Sequence, residues 1–332
     1  MQAVLLTAHG GYDCLQFRDD VAVPEPGPHD VLVQVHAAAV NNTDVNTRVG
    51  WYSGGGWTGT FQFPRIQGID ACGTIVAVGS DVPSNRVGER VLIEPCWREA
   101  DAPFSSARFF GSEVDGAFAQ FTVAPSRHAH RIESGLSSVE LASFPCSYST
   151  AENMLCRAGV VAGDRVLVTG ASGGVGSAAV QLAAARGAIV TAVAAAGKHE
   201  QLRTLGAANA VNRGTVAHSC IADSFDVVID IVGGAEWPDL LRVLRPGGRY
   251  TVAGAIAGPI VELDLRTLYL KDQRLIGCTV LDEGVFASLV QRIERGEVQP
   301  VVAATFPLDC IVDAQELFLA KAHVGKIVLE IP

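Results

Sequence analysis

The chain has 332 residues, 48% of them hydrophobic and 18% charged, with 35 glycines. That length exceeds what one hydrophobic core spans and calls for two lobes, and the apolar content excludes a disordered chain. A net charge of −10, from 25 basic and 35 acidic side chains, sets an acidic surface against nucleic acid and anionic membranes and leaves a small molecule as the main partner.

The opening residues "MQAVLLTAHGGYD" lack a basic start, a long apolar run and a cleavage site, so no signal peptide is expected. No stretch reaches the length of a membrane span. The eight cysteines are scattered without a C-x-x-C pair. Reduced thiols in a cytoplasm follow, most of them small buried hydrophobes, with no disulfide.

Short runs such as "VLVQVHAAAV", "GTIVAVG" and "ERVLIEP" fill the first 125 residues, separated by "PEPGPHD" and "SGGGWTG". Strands between Gly, Pro and Asp punctuation predict a compact, mainly antiparallel β domain. Residues 97 to 112, "WREADAPFSSARFFGS", have no clean period and read as a loop. The pair His128 and His130 in "SRHAHR" reads as surface rather than metal ligation, since no third ligand stands near them.

The rhythm changes from about residue 135, where "SSVELASFPCSYSTAENMLCRAG" carries helical spacing. Strand and helix then alternate through "DRVLVTG", "GVGSAAVQLAAARG", "AIVTAVAA", "KHEQLRTLGA", "DVVIDIVGG" and "EWPDLLRVLRPGG" to "RYTVAG". That alternation predicts a parallel sheet with crossover helices, and the nearly continuous apolar strands predict helices on both faces. "RPGG" at 245 to 248 reads as a helix stop at Pro246 followed by a glycine exit. After about 268 the chain ends in a helix, a strand, a helix and the strand "GKIVLEI", as though it returns to complete the first lobe. The expected division is 1–126 with 268–332 for the β-rich domain and 127–267 for the parallel-sheet domain.

Between "DRVLVTG" and the helix "SAAVQLAAARG" stands "ASGGVG". A glycine-rich turn at a helix N-terminus presents N–H groups and the positive end of the dipole to a pyrophosphate. On the G-x-G-x-x-G template the three places are Ala171, Gly173 and Gly176, with alanine in the first. About twenty residues on, an acidic side chain would hold a ribose 2′-hydroxyl. Here Ala194, Ala195 and Ala196 stand there, with Lys198 after them and Arg213 closing the next strand. Small neutral residues and two cations suit a 2′-phosphate, which favours NADPH over NADH.

These motifs together make the chain resemble the medium-chain dehydrogenase/reductase superfamily, in its zinc-independent quinone oxidoreductase-like branch. "GPHDVLVQVHAAAVNNTDVNTR", "RIQGIDACGTIVAVGSDV", "GAFAQFTVAP", "VLVTGASGGVGSAAVQLA" and the closing "GKIVLEIP" carry the resemblance over almost the whole length. It implies an α/β chain: a GroES-like β-rich catalytic domain with a Rossmann doubly wound parallel-sheet domain inserted into it. Zinc members of the superfamily hold the metal with a cysteine, a histidine and a later cysteine. The matching places here are Asn41, Ile69 and Cys146, of which only the last is a ligand type, and the loop of four cysteines is absent. No metal site is expected, although Asp70 could serve a metal-assisted alcohol dehydrogenase with atypical ligands.

The resemblance also implies the site. Asn41, Asp44, Tyr52 and Tyr148 are the candidate catalytic residues: Asn41 as a hydrogen-bond group in the ligand's place, Asp44 orienting the cofactor ribose or backbone, and Tyr52 reaching the acceptor oxygen. Thr150, Ser172, Gly173, Gly174, Val175, Lys198, Arg213, Val232, Ala255, Ile256, Thr279 and Lys326 are the candidate cofactor residues. Asn41 and Asp44 also suit a plain turn, Trp51, Tyr52 and Trp57 suit anchors of a glycine-rich loop, and Cys146 reads as a buried remnant rather than a nucleophile. Without a Lewis acid the acceptor must itself be electrophilic, so hydride transfer from NADPH to a quinone or an α,β-unsaturated carbonyl is expected. A non-catalytic NADPH-binding protein is the reading from another class. The segment "RLIGCTV" falls on the family's dimerisation strand, which implies a homodimer.

Overall fold

The computed structural model describes residues 1–54, 61–99 and 101–332. Trp57 and the middle of the glycine-rich loop lie outside the described residues. The chain divides into two units, Met1–Cys146 with Phe286–Glu294 and Pro300–Pro332, and Ser147–Val285 with Arg295–Gln299. Among the described residues no helix is long and apolar enough to cross a membrane.

The strands of the N-terminal part are β1 (Ala3–Leu6), β2 (Leu15–Arg18), β3 (Asp30–Val40), β4 (Arg65–Ile66), β5 (Cys72–Val78), β6 (Arg90–Ile93), β7 (Cys96–Trp97), β8 (Arg108–Phe109), β9 (Phe121–Pro125) and β10 (Ala129–Arg131). The middle supplies β11 (Arg165–Val168), β12 (Ile189–Ala194), β13 (Asn209–Asn212), β14 (Phe225–Asp230), β15 (Leu244–Val252) and β16 (Arg274–Gly277). The C-terminal part adds β17 (Val302–Pro307) and β18 (Lys326–Glu330).

The first unit is built on β3. Its early residues alternate, burying Val31, Val33 and Val35, and its last four are all buried. That is a half-buried strand running into the interior before the chain turns at Asn41. The strand order is β10-β6-β5-β3-β18-β17, with β9 also on β3, and a smaller sheet β2-β1-β4 lies beside it. Every pair on β3 is antiparallel, as the sequence predicts, and β17 with β18 is the parallel exception. Val33, Ile75, Ile93, Phe110, Phe118, Ile327 and Leu329 belong to one continuous core. The chain's return is therefore structural, because β18 fills the place beside β3.

In the second unit the order β13-β12-β11-β14-β15-β16 is parallel throughout. This is the doubly wound arrangement, with the strand order reversing between β11 and β14. Two boundaries move from their sequence-based places. Residues 127–146 belong to the first unit, because β10 pairs with β6 there. Residues 268–285 belong to the second, because β16 pairs with β15 as its sixth strand.

Two local readings also change. The helix Trp237–Val243 stops before "RPGG", which lies inside β15: Phe225 pairs with Leu244, the register shifts, and Gly247 takes φ +73° in the bulge. The bulge accommodates Pro246 because an irregular position needs no N–H from it. The segment expected to be a loop is tied by a two-residue ladder, Cys96 opposite Phe109 and Trp97 opposite Arg108, with a 3-10 turn at Phe104–Ser106 between the two strands.

Candidate active site

In the first unit the residues at the end of β3 form a closed polar knot. The register sets Ile327 opposite Val40, which brings Lys326 beside Asn41. The Lys326 ammonium donates to Asn41 Oδ1 and, at 2.9 Å, to Asp70 Oδ2. Asn41 Nδ2 donates to the same Asp70 oxygen at 2.8 Å and to the Ala39 carbonyl at 3.1 Å. The other Asp70 oxygen accepts the Cys146 backbone N–H at 2.6 Å. All three side chains are buried. A buried charge persists only when paired and hydrogen-bonded, and here each partner is.

Asp44 occupies the next layer. It caps the helix Asn42–Arg48 in a reciprocal box with Asn41, accepting the Asn41 N–H at 2.8 Å. Its second oxygen accepts the N–H groups of Gly68 and Ile69, each at 3.2 Å. Burial and the neighbouring Asp70 raise its proton affinity, while the backbone donors and Lys326 lower it, and the net pKa is pushed up to about 7.

Three sequence-based roles are corrected by this geometry. Asn41 has its oxygen and both N–H directions committed within the knot, so it is not a hydrogen-bond group for an acceptor. Asp44 is 1% exposed and orients backbone, its second expected role, rather than a ribose. Lys326, expected among the cofactor residues, is instead the buried ion-pair partner of Asp70.

Tyr148, in the second unit, is also corrected. Its ring is 1% exposed, its hydroxyl donates to the Gln299 carbonyl at 2.7 Å, and it accepts from Gln181 Nε2 at 2.9 Å. That is a core tyrosine with a satisfied polar tip. Tyr52 differs. It stands in a short 3-10 turn after the helix Asn42–Arg48, part of its ring is exposed, and its hydroxyl accepts from Asn46 Nδ2 at 3.3 Å. Trp51 beside it is exposed too, which does not suit a buried anchor.

His128 and His130 are not a surface pair. Both hydrogen-bond Glu94 Oε2, at 2.7 and 3.2 Å, and Trp97 stacks on the His128 ring. Burial pulls the Glu94 carboxyl up, but the two imidazoles outweigh it and hold the carboxyl below its ordinary value. All eight cysteines are thiols without a disulfide.

The second unit holds the glycine turn at the carboxyl end of β11. Gly170, rather than Ala171, takes the positive φ of the tight turn, at +55°. A Cβ on Gly176 would stand 2.2 Å from the Gly170 carbonyl oxygen, so the helix Gly174–Ala185 packs against the turn only with glycine there. A Cβ on Gly173, the residue before that helix, would meet nothing closer than 3.5 Å. Protein packing does not demand glycine at 173, and the space above it is a cradle of the kind a phosphate enters.

The remaining cofactor candidates fall on the same edge of the sheet. Ser172, Gly174 and Val175 follow β11, Lys198 follows β12, Arg213 follows β13, Val232 follows β14, Ala255 and Ile256 follow β15, and Thr279 follows β16. Lys198 Nζ donates to Ser172 Oγ at 3.4 Å. Burial, and then the Arg213 charge, lower the proton affinity of Lys198. Asp230 fixes the β14 end: it accepts from Thr169, Tyr250 and the N–H groups of Val232 and Gly233. Thr150 lies in the helix Pro145–Ala158, half-buried.

Residues 27–134 match the family model of the alcohol dehydrogenase GroES-like domain, and residues 174–295 that of the zinc-binding dehydrogenases. The chain belongs to the medium-chain dehydrogenase/reductase superfamily, in its quinone oxidoreductase-like branch. A quinone oxidoreductase from Lama guanicoe is 30% identical over 99% of this chain and 97% of its own length. An acryloyl-coenzyme A reductase from Metallosphaera sedula is 28% identical over 99% of each. A provisionally named alcohol dehydrogenase from Sinorhizobium meliloti 1021 superposes with a TM-score of 0.94 at 44% identity, covering 100% of this chain and 97% of that one.

The name of the second family model implies zinc, and the residues of this chain do not fit one. Ile69 offers no donor, the Asn41 amide is consumed by Lys326, Asp70 and Ala39, and both Asp70 oxygens are engaged. Among the described residues no three His, Cys, Asp or Glu side chains stand together as ligands. A dinucleotide does fit the second unit, because Gly173 leaves room for a phosphate at the helix start and Lys198 stands against Ser172. Sequence reasoning missed Thr43 and Asn46, which face Tyr52 from one helix; their i, i+3 spacing in "NNTDVNTR" was the available signal.

Proposed function

We propose that the chain is an NADPH-dependent reductase of electrophilic conjugated carbonyl compounds, quinones or enones, that works without zinc. One observation carries this reading: at the place where zinc relatives hold their metal, Lys326, Asp70 and Asn41 satisfy one another and leave no ligand set. Without a Lewis acid an unactivated alcohol is a poor substrate, whereas a conjugated acceptor accepts hydride with hydrogen-bond help alone. Two relatives of full-length similarity carry names for reductions of such acceptors, a quinone and an acryloyl thioester.

NADPH, when bound, supplies the hydride. The glycine turn and the N-terminus of the helix Gly174–Ala185 would receive its pyrophosphate, and Lys198 with Arg213 would receive its 2′-phosphate through charge-assisted hydrogen bonds. An anion between two cations also relieves the repulsion that lowers the Lys198 proton affinity. On the acceptor side, negative charge gathers on the carbonyl oxygen as hydride arrives, and Tyr52, whose ring is partly exposed and whose hydroxyl accepts from Asn46, is the candidate catalytic residue to donate to it.

The eight unbridged thiols suit a reducing compartment such as the cytoplasm. We propose a homodimer joined along β16, the outer strand of the parallel sheet.

The test is NADPH oxidation against quinones, enones, alkenals and simple aldehydes, with and without chelator and with NADH in parallel. Turnover of quinones or enones that ignores chelator, and a Lys198→Ala, Arg213→Ala variant that loses about tenfold in KM for NADPH but not for NADH, are the expected results. Chelator-sensitive alcohol turnover would overturn the metal-free reading. Tight NADPH binding without turnover of any acceptor would favour a binding protein.

A further inference from the structure

The helix Asn42–Arg48 carries two polar side chains aimed at one phenol. Asn46 Nδ2 donates to Tyr52 Oη at 3.3 Å, and Thr43, one turn earlier, neighbours the same phenol and, like Asn46, favours its ionised form. Gly50, at φ +73°, turns the chain between helix and phenol, with His9 packed against the turn. The start of the helix is itself fixed by the Asn41–Asp44 box and by the Asp44 bonds to Gly68 and Ile69. The buried knot therefore sets the helix, and the helix sets the phenol.

A phenol oxygen that accepts a hydrogen bond from an amide keeps its own proton for another partner. Asn46 has no reason from the core to point this way, since it is only half-buried on a short helix. We propose that Thr43 and Asn46 are positioning residues that hold Tyr52 Oη as a hydrogen-bond donor to the acceptor's carbonyl oxygen. This rests on the reading of Tyr52 given above. In this arrangement the oxygen that gains charge during hydride transfer meets an O–H already polarised by its two neighbours. Both neighbours also favour the ionised phenol, against the burial that raises its proton affinity.

The experiment compares Thr43→Val, Asn46→Leu and their combination, each near the parent side chain in volume and each without a donor, in the wild-type and Tyr52→Phe backgrounds. The combined variant is expected to lose about tenfold in kcat on a quinone with KM within twofold. Its alkaline limb of kcat is expected to move to higher pH, as is the phenolate absorbance of Tyr52, read as the difference from Tyr52→Phe. Asn46→His, which keeps a donor, is expected to recover most of the loss. In the Tyr52→Phe background the same substitutions are expected to add nothing. A full loss that persists in that background would overturn the inference, because the residues would then act through the helix alone. So would an unchanged kcat in the combined variant when Tyr52→Phe is impaired. Unchanged turnover in Tyr52→Phe itself would instead remove the underlying reading of Tyr52, with the absorbance shift still reporting whether the neighbours act on the phenol.

Discussion

Asp44 holds a carboxyl where water cannot reach it, near the buried carboxyl of Asp70, and its pKa stands at about 7 against an ordinary value near 4. Burial is the largest cause, and the backbone donors and Lys326 only moderate it. Between these two pH values the folded chain binds a proton that the unfolded chain has released. Stability must therefore fall as pH rises from about 4 to about 7 and level off above, by about 1.4 kcal/mol per unit and about 4 kcal/mol at most. Asp44→Asn removes the titration while keeping a cap acceptor for the helix. Urea unfolding of both proteins across this range is expected to show a declining curve for the parent that the variant lacks. Parallel curves would mean that Asp44 is ionised throughout, stabilised by its three backbone donors. The neighbouring knot obeys different physics, because Lys326 and Asp70 neutralise one another and Asn41 bridges them. Removing Lys326 or Asp70 strands a buried charge, and removing Asn41 leaves their remaining hydrogen-bond sites unmet, which is why these three residues read as a unit.

At the scale of elements, the glycine turn separates two demands that a sequence motif merges. Gly176 is required by the fold: an alanine methyl would overlap the Gly170 carbonyl. Gly176→Ala is expected to cost about 3 kcal/mol or more of stability. Gly173 sits with φ −77°, and a methyl there would make only an ordinary contact, 3.5 Å from the Gly170 carbonyl oxygen, so Gly173→Ala is expected to cost about 1 kcal/mol or less while weakening NADPH by about tenfold. Thermal unfolding and a nucleotide fluorescence titration on the two variants measure the two effects, and equal NADPH affinity in Gly173→Ala would remove the phosphate from this turn. The strand, turn and helix around these glycines were legible because their signals are local. Hydrophobic period, punctuation and a six-residue motif all lie within about thirty residues of each other. The knot was not legible, since Lys326 lies 285 residues from Asn41 and 256 from Asp70, and only the β3–β18 register brings them together. Tyr148 was misread for the related reason that a tyrosine on a helix gives no sign of which way it faces, and Gln181 with Gln299 claims it from afar. The strand β16 went to the wrong unit because four residues after a loop carry too little pattern to announce a sixth parallel neighbour.

For the whole molecule, the two ends of the parallel sheet are unlike. At one end β13 is short, with Asn209 and Asn212 exposed at its termini. At the other, β16 exposes Leu275, and the chain leading to it exposes Ile256, Ile260 at 88%, Leu265, Tyr269 and Leu270 at 70%. Among the described residues no further strand pairs with β16. Unpaired backbone beside exposed apolar side chains invites aggregation unless a partner covers it. A second copy meeting β16 to β16 about a two-fold axis would join the sheets and bury these residues symmetrically, and the contact closes without an open end. Light scattering is expected to give twice the 34.8 kDa mass of the chain. Leu270→Lys with Leu275→Lys places two like-charged pairs across the axis and is expected to yield monomers that still bind NADPH, since both positions lie outside the glycine turn and the Lys198–Ser172 contact. A parent protein that is monomeric at micromolar concentration, or a variant that stays dimeric, would move the contact away from this edge. The sheet end would then need another cover, because seven exposed apolar and aromatic positions between 256 and 275 are more than a solvated strand edge carries without cost.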